Sequence, residues 1–185
     1  MKGLAEKYQK ELRSKIQKEL GLTNIMSVPK VRKVVLNVGL GKARQNKEWI
    51  EIVGSILERI TGQKPVMTKA RKSISNFKIR EGMIVGSKVT LRGARMYDFL
   101  EKLINITFPR FRDFHGLDPK KGFDKQGGYI LGIQEHIVFP EIGMEDVDKI
   151  HGLEVCVTTS AKNDEQARVL LTNLGFPFKK VTSKK

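Results

Sequence analysis

Two stretches of this chain alternate apolar and polar residues with the two-residue period of a half-buried strand, and a helical segment lies between them. In Val31–Val38, Val34, Leu36 and Val38 share one face, while Lys33, Val35 and Asn37 share the other. In Val85–Arg92, Val85, Val89 and Leu91 alternate with Lys88, Thr90 and Arg92. Asn46–Thr61 instead spaces Trp49, Val53, Ile56, Leu57 and Ile60 along one side of a helix, with Asn46 to cap its start and Gly62 its end. Such alternation demands a sheet with one covered face, and helices between the strands are what can cover it.

The other segments extend the same pattern. Met1–Leu20, within a basic segment spanning 1–22, reads as a helix whose Leu4, Tyr8, Leu12, Ile16 and Leu20 fall four apart. Arg95–Ile106 is amphipathic through Met96, Phe99, Leu100, Leu103 and Ile104, and Pro109 is expected to stop it. Tyr129–Val138 reads as a strand with Tyr129, Leu131, Ile133 and Ile137 inward and Gln134 and His136 outward. Leu153–Thr159 is another, with Leu153, Val155 and Val157 inward and Glu154, Cys156 and Thr158 outward. Asn163 and Gln166 form a capping-box-like pair for a last helix, Asn163–Leu174, closed by Gly175. The stretch 109–128 is long, irregular and rich in glycine, and a loop of that length is usually functional. The expected fold is α+β: a mainly antiparallel, ferredoxin-like sheet with helices packed on one face and long basic loops over 68–84 and 109–128.

A chain of 185 residues suits a single domain over 1–185. Its charge decides what kind of partner that domain meets. Lys and Arg number 35 against 20 Asp and Glu, a net charge of +15. Residues 1–33 hold nine basic and three acidic residues, and 62–95 hold nine basic and one acidic. Residues 135–154 reverse the sign, with six acids and one lysine. Charge segregated in this way points to a polyanion, with nucleic acid ahead of a membrane surface. The uncovered sheet face is expected to show Lys33, Asn37, Lys88, Thr90 and Arg92 without large aromatics, which suits structured RNA read through its backbone and sugars better than stacked single strands.

Several chemistries are not expected. One cysteine, Cys156, excludes an internal disulfide and any multi-cysteine metal site. His115, His136 and His151 lack ligand spacing, so neither metal nor cofactor is anticipated. Gly39-Leu-Gly41 follows a strand, but Arg44 stands where a dinucleotide fingerprint needs its third glycine. Backbone N–H groups there, beside Lys42 and Arg44, could still hold an RNA phosphate. No constellation suggests catalysis, so an enzyme acting on RNA is the weakest reading. No run approaches the roughly 18 apolar residues of a membrane span. The N-terminus has no signal-peptide core, so a cytoplasmic protein is expected.

Motifs along the whole chain carry a resemblance. Val34-Val-Leu-Asn-Val-Gly-Leu-Gly41, Thr61-Gly-Gln-Lys-Pro65, Lys69-Ala-Arg-Lys-Ser-Ile74, Phe77-Lys-Ile-Arg-Glu-Gly82 and Val89-Thr-Leu-Arg-Gly93 occur in order. Pro109-Arg-Phe-Arg-Asp-Phe114, Gly132-Ile-Gln-Glu135, Phe139-Pro-Glu-Ile142 and Gly175-Phe-Pro-Phe178 follow. The chain resembles the bacterial form of the large ribosomal subunit protein five family, which binds 5S ribosomal RNA. The resemblance implies a ribosome-bound protein that joins 5S to 23S rRNA in the central protuberance, beside another 5S-binding ribosomal protein. It implies 5S contacts by Asn37, Gln63 and Thr90; Lys33, Lys88 and Arg92, which the alternation puts on the uncovered face, are expected to supply charge. It implies that the loop Lys69–Gly82 reaches peptidyl-site tRNA through Lys69, Arg71, Lys72, Phe77, Lys78 and Arg80. It implies that 109–128 serves an intersubunit bridge to a small-subunit head protein. The alternative is a structured-RNA-binding module that works outside the ribosome.

Overall fold

A computed structural model describes residues 3–41, 46–112, 114–119, 121–143 and 150–179. Its strands are β1 (Val31–Gly39), β2 (Val66–Lys69), β3 (Ile84–Leu91), β4 (Tyr129–Ile133) and β5 (Leu153–Thr159). They form a five-stranded antiparallel sheet in the order β2-β3-β1-β5-β4. With β4 set aside as an added edge, the order β5-β1-β3-β2 is that of a split βαβ arrangement. Helix Lys47–Thr61 connects β1 to β2, and helix Gly93–Lys102 follows β3. The α+β, ferredoxin-like expectation holds. Fully buried and half-buried residues alternate strictly along β5 and through most of β1, as sequence period alone requires. The chain divides into two compact units, one of residues 1–34, 91–131 and 156–185, the other of 35–90 and 132–155.

In the first unit the N-terminal helix is not uniform. It runs as α-helix over Leu4–Lys7, as π-helix over Tyr8–Leu12, and as α-helix again over Arg13–Glu19. Apolar residues four apart drift by roughly 40° per step round an α-helix of 3.6 residues per turn. A wider π turn takes up that drift. Leu4, Tyr8, Leu12 and Ile16 are consequently all buried, and Leu20 partly so. The helix packs on protein: the Leu4 N–H donates to Glu101 Oε2 at 3.1 Å, and Asn173 Nδ2 donates to Glu19 Oε2 at 2.8 Å.

Pro109 does not end its helix as expected. The helix Gly93–Lys102 passes into a π stretch, Leu103–Thr107, and one further turn, Phe108–Arg110, that contains the proline. The widened turn ahead of it relieves the clash that a proline ring makes with the carbonyl four residues back. The segment that follows has little regular structure but a firm anchor. Phe108 stacks on Phe114 at 5.1 Å and meets Phe176 edge-on at 6.0 Å. Phe123 packs on Tyr129 at 4.8 Å and on Phe178 at 6.1 Å. The Leu117 N–H donates to Pro177 O, and the Lys179 N–H returns the bond to Leu117 O, both at 2.8 Å. Gly122 has φ +89°, and a Cβ there would lie 2.7 Å from Ile130 O, so only glycine fits. The last helix is Asp164–Leu174, with Asn163 Oδ1 accepting from the Gln166 N–H at 3.0 Å. Gln166 Oε1 accepts in return from the Lys162 N–H, one residue before the expected box partner.

In the second unit Asn46 caps Lys47–Thr61 by accepting from the Trp49 N–H, and Gly62 closes the helix in the left-handed conformation. Val53, Ile56, Leu57 and Ile60 are buried, while Trp49 at the edge of the stripe is only half-buried. The hairpin pairs Val66 with Lys88, Met67 with Ser87 and Thr68 with Gly86, then skips so that Lys69 faces Ile84. Val85 is the extra residue of a β-bulge. The bulge breaks the alternation expected there: Val85 is half-buried, and Gly86 and Ser87 are both buried.

The strand expected over Tyr129–Val138 ends at Ile133, and His136–Val138 forms a 3₁₀ turn. Gln134 is exposed as expected, but His136 is fully buried rather than outward. Its ring stacks on His151 with centroids 4.2 Å apart. The His151 N–H donates to His136 Nδ1 at 3.3 Å, and the His136 N–H donates to His151 O at 3.2 Å. An extended strand would deny the imidazole both the stacking and the hydrogen bond.

Candidate nucleic-acid interface

The second unit brings together two expected RNA-contacting residues from separate elements. Gln63 stands two residues beyond the helix Lys47–Thr61, and Thr90 lies on β3. Gln63 Nε2 donates to the Thr90 carbonyl at 3.3 Å. The turn that delivers Gln63 is itself held. Thr61 Oγ1 donates to Leu57 O at 2.6 Å and accepts from the Gln63 N–H at 3.3 Å. Gln63 thereby has its amide oxygen free of any protein donor among the described residues, and the Thr90 hydroxyl is likewise unused. Asn37 lies on β1 between the buried Leu36 and Val38, so its side chain projects from the opposite face. Lys88, two residues before Thr90, is exposed on the same face of β3. Three neutral hydrogen-bonding side chains and one cation make a surface suited to sugar and phosphate oxygens.

The loop between β2 and β3 extends this unit. The Ala70 N–H donates to Met83 O at 2.8 Å, and Ile74 and Ile79 exchange two backbone bonds of 2.9 and 3.1 Å. The Glu81 N–H donates to Ser73 Oγ at 2.9 Å. Residues 71–78 are nonetheless all exposed. Lys69, Arg71, Lys72, Lys78 and Arg80 therefore stand in solvent, with Phe77 exposed among them at 63%. None of these cations is in an ion pair among the described residues.

Family models identify what kind of protein carries this surface. The model described as Ribosomal protein L5 matches residues 24–80, and the model for the C-terminus of the same ribosomal family matches 84–178. The chain belongs to the ribosomal L5 family. It is 53% identical over 178 residues to large ribosomal subunit protein uL5 of Halothermothrix orenii, a match that covers 96% of this chain and 99% of that one. It is also 53% identical to the uL5 proteins of Anaeromyxobacter sp. and Thermosipho melanesiensis, over 95% and 96% of this chain and 97% of each of theirs. L5 membership makes the chain a structural, non-enzymatic constituent of the ribosome and implies association with ribosomal RNA.

The remaining candidates of this L5 chain lie elsewhere. Lys33, half-buried on β1, and Arg92, exposed just after β3, belong to the first unit. Arg92 Nη1 reaches Arg32 O at 3.5 Å. Lys42, Arg44 and residues 144–149 of the acidic stretch, with three of its six acids, lie outside the described residues. No helix among the described residues is long and apolar enough to cross a membrane. No described cluster of His, Cys, Asp or Glu could hold a metal ion. Sequence reasoning missed the Thr61–Gln63–Thr90 chain of hydrogen bonds; its one local signal is a threonine directly before the helix-ending glycine.

Proposed function

We propose that the chain binds 5S rRNA through Asn37, Gln63 and Thr90, with charge from Lys33, Lys88 and Arg92, and helps attach 5S to 23S rRNA in the central protuberance of the large subunit. The observation that carries this reading is the bond from Gln63 Nε2 to the Thr90 carbonyl. It fixes one neutral side chain beside another and leaves acceptor and hydroxyl groups for an RNA partner, as backbone recognition needs. The relatives' name, large ribosomal subunit protein, supports the assignment to that subunit. The exposed basic loop contacts peptidyl-site tRNA through Lys69, Arg71, Lys72, Phe77, Lys78 and Arg80. The aromatic-anchored segment 109–128 contributes to an intersubunit bridge with a small-subunit head protein, and a second 5S-binding protein is its neighbour. The whole chain, 1–185, acts as one RNA-binding ribosomal domain in the cytoplasm. Footprinting of 5S rRNA with and without the purified chain tests the central point. A protected patch that Asn37→Ala weakens is the expected result; protection nowhere on 5S overturns it.

A further inference from the structure

The first unit holds a groove of about 720 Å³ that the 5S-binding reading does not use. Among the described residues four cations line it, Arg13, Lys30, Arg32 and Lys162, and no carboxylate does. None of the four is in an ion pair among the described residues. Uncompensated like charges gathered from three separate chain segments repel one another, and an anionic ligand removes that cost.

Hydrogen bonds hold the walls. Arg13 Nη2 donates to Ile25 O at 3.1 Å, which holds the guanidinium in place while its Nε and Nη1 have no acceptor among the described residues. The Lys30 N–H donates to Ser160 Oγ, and the Ser160 N–H donates to Lys30 O, each at 2.9 Å. The Lys162 N–H donates to Gln166 Oε1 at 3.1 Å. Tyr8 and Tyr97 also line the groove, with stacked rings 6.2 Å apart. Tyr8 spends its hydroxyl on Pro29 O at 2.8 Å, but the Tyr97 hydroxyl has no partner among the described residues. The π stretch Tyr8–Leu12 forms this wall, and π turns inside α-helices occur frequently at functional sites.

We propose that this groove binds the phosphodiester backbone of an RNA strand distinct from the one on the sheet face, with Arg13, Arg32, Lys30 and Lys162 on the phosphates and the Tyr97 hydroxyl as a neutral donor. An acidic peptide shares the charge but fits less well. Strand addition needs free backbone groups, and here the Lys30, Ser160 and Lys162 N–H groups are already paired. The proposal rests on the ribosomal reading only for the identity of the polyanion.

The test uses the full chain and two probes, a labelled twelve-nucleotide oligouridylate carrying 4-thiouridine and, separately, 5S rRNA. Photocrosslinks within 4–13 or 93–102 are expected. Arg32→Gln/Lys162→Gln should weaken oligouridylate binding about tenfold and flatten its salt slope by about two contacts. Binding of 5S rRNA should stay within about twofold, and the thermal melt should not move, since both side chains are exposed. Tyr97→Phe should weaken oligouridylate binding at an unchanged slope. Arg71→Gln/Lys72→Gln should leave it intact. The proposal fails if the groove variant binds oligouridylate like the parent, or loses both RNAs together. It fails if crosslinks fall only in 69–82, or if uridine monophosphate or a ten-glutamate peptide displaces the oligonucleotide at equal concentration. Loss of 5S binding by the parent chain would instead count against the 5S reading and leave the oligouridylate result to decide the groove.

Discussion

Asn37, Thr90 and Lys88 differ in what they can give an RNA, and that difference is measurable. Asn37 and Thr90 offer hydrogen bonds without charge, so Asn37→Ala or Thr90→Ala should cost on the order of 1–3 kcal/mol of 5S affinity at an unchanged salt slope. Thr90→Ala keeps the bond from Gln63, because the carbonyl and not the hydroxyl accepts it. Lys88→Gln should flatten the slope by about one contact. Binding titrations at several salt concentrations separate the two kinds of loss, and thermal melts identify any that come from unfolding. Two tyrosines set an alkaline limit by a different route. Burial and the neighbouring Tyr97 push the Tyr8 phenol up to about 12, and burial and Asp118 do the same for Tyr129. Neither phenol ionises below the ordinary value of about 10, so their contribution to stability is complete there. Above it the unfolded chain loses the protons first, and stability falls as pH rises toward 12. Melting temperature measured from pH 9 to 12 should show this fall, and Tyr8→Phe should make it shallower. The same variant leaves Pro29 O without its donor and should cost about 1–2 kcal/mol at neutral pH.

Among the elements, the β2–β3 loop and the segment after Phe108 behave as opposites although both lack long regular structure. Residues 71–78 bury nothing and keep their form through a few backbone bonds. Local opening there costs little, because few apolar contacts are lost. In the free chain the amides of 71–78 should exchange quickly, with Ile74, paired to Ile79, the slowest among them, and RNA in the ribosome should slow them all. Strong protection throughout the loop in the free protein would show that it needs no RNA to order it. The segment 111–128, in contrast, is tied by Phe108, Phe114 and Phe123 to Phe176 and Phe178, so its Leu117 amide should be protected in the free chain. Hydrogen exchange read by mass spectrometry compares the two segments in one experiment.

For the molecule as a whole, the charge of +15 decides how affinity responds to salt. If about five to eight phosphates are contacted, the logarithm of 5S affinity should fall by roughly 0.7–0.9 per contact for each decade of salt. Binding measured between low and moderate salt gives the slope directly. A flat response would make the basic segments a solubilising surface and leave affinity to the neutral side chains.

Periodicity and capping are local, and whatever depends on them was legible in the sequence. The alternation in Val31–Val38 and Leu153–Thr159 set which residues of β1 and β5 are buried, and Asn46, Gly62, Asn163 and Gly175 bounded two helices. Alternation likewise put Asn37 opposite the buried Leu36 and Val38 of β1, and, beyond the bulge, Lys88 and Thr90 opposite the buried Val89 and Leu91 of β3. Gln63 came only through resemblance, because its position depends on a bond to a strand 27 residues away. Tertiary structure alone decided the bulge at Val85, the burial of His136 against His151, and the π turns that realign Tyr8 and accommodate Pro109. The basic groove belongs with these: Arg13, Lys30, Arg32 and Lys162 come from segments far apart in the chain. Period and propensity act over a few neighbouring residues, whereas a bulge, a buried imidazole or a charged groove is settled by whichever distant side chain packs against it.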